Sequence, residues 1–245
     1  MLRAGFAAAL LALSACGEQG EPADPLSPTG PTGRLRFVNA VTNATLVARP
    51  VNVRVDDLAL TANLGYGAAV PGTAAVPYYA ALAQEHSLSV RTTADTNVLV
   101  LDRTFTVAAG TDYTLVAVRS APAAGDAPTL MLLTDDNAAN ATGIKARIVH
   151  AAPGQGLLDV YFTPATVTNI TTIAPSVANV PVRSATTYLA ADPGSYTIRI
   201  TAAGSKTVLL TIATGALVAG NVRTYFALDA AGGGPGMASL SLVDR

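Results

Sequence analysis

The residues able to do chemistry are few and widely spaced. The chain has two histidines, His86 and His150, and one cysteine, Cys16. His150 with Asp159 is the pairing to weigh first, because an imidazole oriented by a carboxylate is the centre of hydrolytic and metal sites. The residue alternation around the pair argues for a structural role. His150 falls on the same strand face as Ala146 and Ile148, so its ring nitrogens are expected to be satisfied by backbone. Asp159, opposite Val160 and Phe162, is expected to bind turn amides or water. A nucleophile elbow needs glycine on both sides of its serine, and neither Gly194-Ser195 nor Gly204-Ser205 has that pattern. Gly65-Tyr66-Gly67 lacks the last glycine and the following helix of a dinucleotide loop. Zinc would require unusual carboxylate ligation. Asp135-Asp136-Asn137 offers oxygen atoms without the spacing of a calcium loop and reads as a solvated linker. The sequence therefore argues against an enzyme and implies no catalytic residue, metal or cofactor. Tyr66, Tyr78 and Tyr79, in the longest irregular part of the first half, join His150 and Asp159 as the residues left for binding; exposed tyrosines can stack on sugars or partner proteins.

Cys16 has a clearer context. Arg3 supplies a positive end, Ala4 to Leu13 an apolar run too short to span a bilayer, and small residues follow. Leu13-Ser14-Ala15-Cys16 resembles the lipobox of bacterial lipoproteins at each position. That resemblance implies a signal peptide over residues 1–15, cleavage after Ala15, and acyl chains such as palmitate carried on Cys16. Two or three acyl chains anchor a protein stably, at ~0.8 kcal/mol per buried methylene. A sole cysteine also excludes an internal disulfide. Residues 16–33 then read as a tether, since Pro22, Pro25, Pro28 and Pro31 alternate with Gly, Ser, Thr and acidic residues and no apolar period is present. Gly17, rather than aspartate, follows the cysteine, which by resemblance favours the outer membrane or cell surface. With 13% charged residues and a net charge of -1, the chain has no basic field to attract nucleic acid.

From Arg34 onward the apolar period is two, the signature of strands. In Arg34-Leu35-Arg36-Phe37 the arginines face one side and the apolar residues the other, and Asn52-Val53-Arg54-Val55 and Ser87-Leu88-Ser89-Val90-Arg91 repeat the scheme, so each strand is expected to bury one face. Tyr78 to Gln84 has the composition for one or two helical turns. The same order returns in the second half. Adding 110 carries Ala109, Gly110, Thr114, Ala117, Ala121, Leu130 and Leu132 onto identical residues ending at Leu240 and Leu242. Upstream, Arg34 to Ala40 corresponds to Lys145 to Ala151, Asn52 to Val55 corresponds to Asp159 to Phe162, and Leu88 to Arg91 corresponds to Tyr196 to Arg199. The expected organisation is a β-sandwich over 34–136, a linker over 137–144 and a second sandwich over 145–245. The class is all-β, with two tandem antiparallel sandwiches whose length and ~7 short strands suit an immunoglobulin-like fold.

Arg147-Ile148-Val149-His150-Ala151-Ala152-Pro153, Leu158-Asp159-Val160-Tyr161-Phe162 and Ala108-Ala109-Gly110-Thr111-Asp112-Tyr113-Thr114 resemble the recurring segments of a family of exported bacterial proteins, domain of unknown function 4397. The resemblance implies tandem modules at the cell surface and no chemistry. The first half departs from the pattern with Asn39 in place of His150 and Asn52 in place of Asp159. The sequence thus leads to an anchored envelope lipoprotein that displays two modules for binding or adhesion, to a glycan or an envelope protein. The alternative is a passive spacer of the envelope with no specific ligand.

Overall fold

A computed structural model of the chain describes residues 29–43, 47–119, 127–234 and 236–245. The expected signal peptide, with Leu13, Ser14 and Ala15, the cysteine Cys16 and most of the tether lie outside the described residues. Within the described residues every regular element is a strand. The first half holds β1 (Thr32–Ala40), β2 (Val51–Val55), β3 (Leu58–Leu64), β4 (Ala68–Val70), β5 (Tyr79–Leu82), β6 (Glu85–Thr92), β7 (Leu99–Thr106), β8 (Asp112–Arg119) and β9 (Pro128–Asp135). The second holds β10 (Ile144–Ala151), β11 (Leu158–Pro164), β12 (Val177–Val180), β13 (Ser184–Ala185), β14 (Leu189–Ala191), β15 (Gly194–Ala202), β16 (Val208–Leu217), β17 (Val222–Asp229) and β18 (Met237–Val243). The chain is all-β, and the helical turns expected over Tyr78 to Gln84 are replaced by β5. Leu82 and Tyr79 pair antiparallel with Thr32 and Leu35 of β1, so the sheet satisfies these backbone groups instead of a helical ladder.

Both halves are built in one topology. The first has a sheet in the order β3-β2-β6-β7 and a sheet in the order β4-β1-β8-β9, with β5 also paired to β1; the second has β12-β11-β15-β16 and β13-β10-β17-β18, with β14 paired to β10. Pairing is antiparallel except for β1 with β8 and β10 with β17, which are parallel. Each half is a sandwich around its own apolar core. Leu35, Phe37, Val53, Leu88, Val90 and Leu115 fill the first, and Ile148, Val160, Ile198, Ile200 and Tyr225 fill the second.

The expectation that each strand buries a single face fails for the innermost strands. Val38 and Ala40 share the arginine side of β1, and with Val116, Val118 and Met131 they pack against Val149, Ala151, Phe226, Leu228 and Leu242. The two sandwiches therefore meet face to face, and four sheets stack with three apolar cores between them. Strands β1, β8, β10 and β17 read as nearly continuous buried runs, the pattern of strands covered on both sides.

Two arginines lie in the middle interface, each completed by the other sandwich. Arg36 donates to Thr114 Oγ1 at 2.8 Å, to the Val243 carbonyl at 3.2 Å and to Asp244 Oδ1 at 2.5 Å. Arg147 donates to Thr224 Oγ1 at 3.1 Å, to the Thr134 carbonyl at 3.2 Å and to Asp135 Oδ1 at 2.5 Å. Thr114 donates in turn to Asp135 at 2.5 Å and Thr224 to Asp244 at 2.7 Å. Tyr78 covers Arg36 with its ring 4.6 Å away, and Tyr188 covers Arg147 at 4.8 Å. Arg36, Arg147, Asp135 and Asp244 are each no more than 6% exposed. Asp135 is thus no part of a solvated linker. Burial works against the charge of Arg147, but Asp135, Tyr188 and Asp244 together outweigh it and the guanidinium pKa stands above its ordinary value.

Strand pairing also corrects the sequence register: Asn52 lies opposite Arg91 and Asp159 opposite Thr201, so Leu88 to Arg91 matches Ile198 to Thr201 and not Tyr196 to Arg199. Thr114 lies opposite Leu133, and Thr224 lies opposite Leu242. The offset between β9 and β18 is therefore 109, one less than upstream, and Asp135 matches Asp244. An offset of 110 equates Leu132, 42% exposed, with the buried Leu242, which is the face inversion that a one-residue slip produces.

Because each guanidinium depends on a carboxylate from the other sandwich, Arg147→Leu should cost about 3 to 5 kcal/mol. Urea unfolding is expected to show that loss in one transition shared by both halves. Separate transitions for the two halves would contradict the interlocked interface.

Candidate functional site

Strand direction gives the molecule two poles. β1 starts at Thr32 at one end, beside the C-terminal end of β18, where Arg36 meets Asp244. At the opposite end β1 and β8 finish side by side, as do β10 and β17. Among the described residues of the first sandwich, 41–43, 47–50 and 93–98 lie at that second pole, together with the short turn at Gly65 to Gly67. Described residues 152–157, 203–207 and 230–234 of the second sandwich share it. The two groups of loops touch: Val47 bridges Gly232, the Ala48 amide donates to the Ala231 carbonyl at 2.8 Å, and Tyr66 Oη donates to the Asp229 carbonyl at 3.0 Å. One loop surface therefore spans both sandwiches, at the pole away from the chain's entry into β1.

His150 and Asp159 hold loops at this pole. The Ala152 amide donates to His150 Nδ1 at 3.3 Å, and His150 Nε2 donates to the Gly156 carbonyl at 2.8 Å. These partners require the neutral ring with its proton on Nε2. Asn39 does the same work in the first sandwich: its Oδ1 accepts from the Val41 amide at 3.0 Å, and its Nδ2 donates to the carbonyls of Arg49 and Leu64 at 2.8 and 2.9 Å. Asp159 accepts the Asn179 amide on Oδ1 and the Gly204 amide on Oδ2, both at 2.9 Å. Its counterpart Asn52 accepts the Asn63 amide at 2.8 Å. Asn63 and Asn179 both adopt positive φ, 54° and 56°, so the two acceptors steady equivalent left-handed turns. His150 and Asp159 each have backbone partners and no hydrogen bond to one another.

The three tyrosines are not brought together. Tyr66 lies half-buried at the loop pole. Tyr78 is buried in the arginine exchange, with its hydroxyl 2.7 Å from Asp135 Oδ2, and burial followed by the Asp135 charge pushes its pKa up. Tyr79 packs on the first core from β5.

Sequence reasoning missed a different imidazole and carboxylate. His86, 1% exposed, stacks on Phe105 and sets Nδ1 2.7 Å from Asp56 Oδ2 and Nε2 2.8 Å from the Leu82 carbonyl. Ser87 Oγ donates to Asp56 Oδ1 at 3.3 Å. The three side chains have the types of a hydrolytic triad, but the serine sits on the carboxylate and the carbonyl occupies the outer imidazole nitrogen. No ring nitrogen faces the hydroxyl, so this arrangement cannot take its proton. Asp56 and His86 are 30 residues apart in sequence, and only the pairing of Val55 with Leu88 brings them together.

A family model described as a domain of unknown function, DUF4397, matches residues 33–161. The chain belongs to the DUF4397 family. No curated protein matches it. The matched stretch runs from β1 into β11, so it contains Asn39, Asn52, His150 and Asp159. In this DUF4397 chain those four residues are all loop clamps, which gives the matched segments a structural meaning. Among its described residues no group of three or more His, Cys, Asp or Glu could hold a metal ion.

Burial lowers the His150 pKa, with the Gly156 carbonyl acting in the opposite sense. An unfolded histidine titrates near ~6.5, so below that value the unfolded chain takes up the proton first. The stabilisation by neutral His150 is complete above the unfolded pKa and is lost as pH falls through the window below it. Urea midpoints compared at about pH 7.5 and about pH 5.5 should show this loss. His150→Asn, which copies Asn39, should flatten that pH dependence and retain most of the stability, whereas His150→Ala should cost about 1 to 3 kcal/mol.

Proposed function

We propose that this DUF4397 chain is an envelope lipoprotein, anchored through acylated Cys16, that displays a two-sandwich head for binding or adhesion. The observation that carries the reading is the separation of poles. The chain enters β1 at one end, and the loops of both sandwiches join into a single surface at the other. A tether at residues 16–33 would enter the head from the end remote from that surface, leaving the loops directed away from the bilayer. The signal-like N-terminus and the lipobox pattern ending at Cys16 support export and attachment. Among the described residues no helix is long and apolar enough to cross a membrane, and a lipid on Cys16 would supply the attachment.

The same head suits a glycan or an envelope protein as ligand, since a loop surface on a rigid scaffold is a common place for recognition. The interlocked arginines favour the second reading, a spacer, to the extent that a stiff body is all the envelope needs.

Attachment is tested by growing cells with an alkyne analogue of palmitate. The wild-type chain should carry the label and sediment with membranes, and Cys16→Ser should lose both properties; label retained by Cys16→Ser would overturn the anchor. Recognition is tested with the Cys16→Ser chain against purified glycans and isolated envelopes. Saturable binding that is competed by excess unlabelled chain is expected, and its absence from both favours the spacer.

A further inference from the structure

Open sheets end in strands whose outer backbone groups can pair with another chain, and folds blunt such edges with brevity, bulges, charge or a covering loop. Among the described residues nearly every edge here is blunted. β4, β5, β12, β13 and β14 have four residues or fewer. β3 and β16 are each interrupted by two register shifts, and β7 carries Asp102 and Arg103. β18 has a loop against it: the connection from β4 to β5 runs over 71–78, and Pro71, Gly72 and Pro77 line one small cavity with Ser241, Leu242 and Val243. Its counterpart in the second sandwich, over 186–188, is too short to shield β9 in the same way.

β9 has none of these protections. Its eight residues pair with β8 in an unbroken register. No charged residue precedes Asp135, and Pro128, which lacks an amide hydrogen, stands at the first position where it interrupts nothing. β9 is the last strand of its sheet, and among the described residues no backbone hydrogen bond leaves its outer side. Its side chains are as unguarded as its backbone. Leu130 and Leu132 share one face, and the offset of 109 makes Ser239 and Ser241 their counterparts on β18. Leu132 is 42% exposed. The exposed Val98 and Leu99 line a cavity with Pro128, which extends the apolar strip toward the loop pole.

We propose that the β9 edge pairs antiparallel with the β9 edge of a second copy of this chain, joining two inner sheets into one. A free backbone edge selects an extended strand as its partner, and the composition of β9 selects β9 itself. A two-fold axis normal to the sheet sets each residue opposite one from the same face of the same strand, and from Thr129 to Thr134 that brings no like charges together. Centring the axis on Leu132, the most exposed leucine of the strand, places it against Leu132 of the second copy and places Met131 against Leu133. Each copy then covers the apolar strip that the other exposes. The pairing needs neither the lipid anchor nor a ligand at the loop pole, so it stands or falls apart from the displayed-head reading.

The test is sedimentation of the Cys16→Ser chain from about 1 to about 100 µM. Its mass should rise with concentration to twice that of the monomer, and amide hydrogen exchange over residues 129–134 should slow as it does. Leu132→Ser, which copies Ser241, should weaken the dimer at least about tenfold with an unchanged urea midpoint. Leu132→Lys and Leu132→Glu should each be monomeric, because the axis sets like charges together, and an equal mixture of the two should recover the dimer. A Cys16→Ser chain that stays monomeric at about 100 µM would overturn the proposal. So would dimers that persist in both charged variants, a mixture that fails to associate, or exchange that slows only outside 129–134.

Discussion

The exchange of carboxylates between the sandwiches is the constraint on which the rest of this structure depends. A buried guanidinium is tolerable only when it is paired and its remaining donors are bonded. Within its own sandwich Arg36 has only the more distant Asp135, at 3.6 Å, and Arg147 has no carboxylate within ion-pair distance among the described residues. Arg36 takes its close carboxylate from Asp244 and Arg147 takes its own from Asp135. Separating the halves would leave two charges without their close partners, at the edge of an apolar interface formed by Val38, Val116, Val149 and Phe226. The head is therefore one body, although each half has the strand order of a complete sandwich.

Rigidity at the middle interface fixes what happens at its ends. The parallel pairs β1 with β8 and β10 with β17 end at the same pole, and packing the two sandwiches face to face brings their loops into contact. Asn39 and His150 then perform one task with different chemistry, each binding an amide two residues ahead and a carbonyl farther along its loop. Asn52 and Asp159 differ more consequentially. An amide side chain has one acceptor oxygen and a carboxylate has two, and the extra oxygen of Asp159 fastens a second loop through Gly204, whereas Asn52 holds only the Asn63 amide. A single acceptor atom thus distinguishes two poles built on the same topology.

Much of the fold was legible because strand alternation is a local property. The apolar faces of Leu35 and Phe37, of Val53 and Val55, and of Leu88 and Val90 identify a two-residue period without any partner in view. The likeness between Arg34 to Ala40 and Lys145 to Ala151 likewise marks equivalent strands. The exceptions arose where local pattern and partner disagree. Tyr79 to Leu82 has no strong alternation and becomes a strand because β1 has an edge to pair. Leu132 and Leu242 are identical residues at a constant offset, yet they occupy different faces because the β8–β9 connection and its counterpart differ by one residue.

The sequence by itself determined the secondary-structure class, the inward faces of the outer strands and the segments that place the chain in its family, because side-chain polarity and a period of two are written along the backbone. Only tertiary structure decided that the arginine faces of β1 and β10 are also buried, that Asp135 belongs to a charge exchange, and that His86 rather than His150 pairs with a carboxylate. In each case the deciding partner lies on another strand, in a turn beside one or in the other sandwich, between 12 and 208 residues away. Contacts across such separations depend on which sheets face one another, and no local pattern encodes that choice.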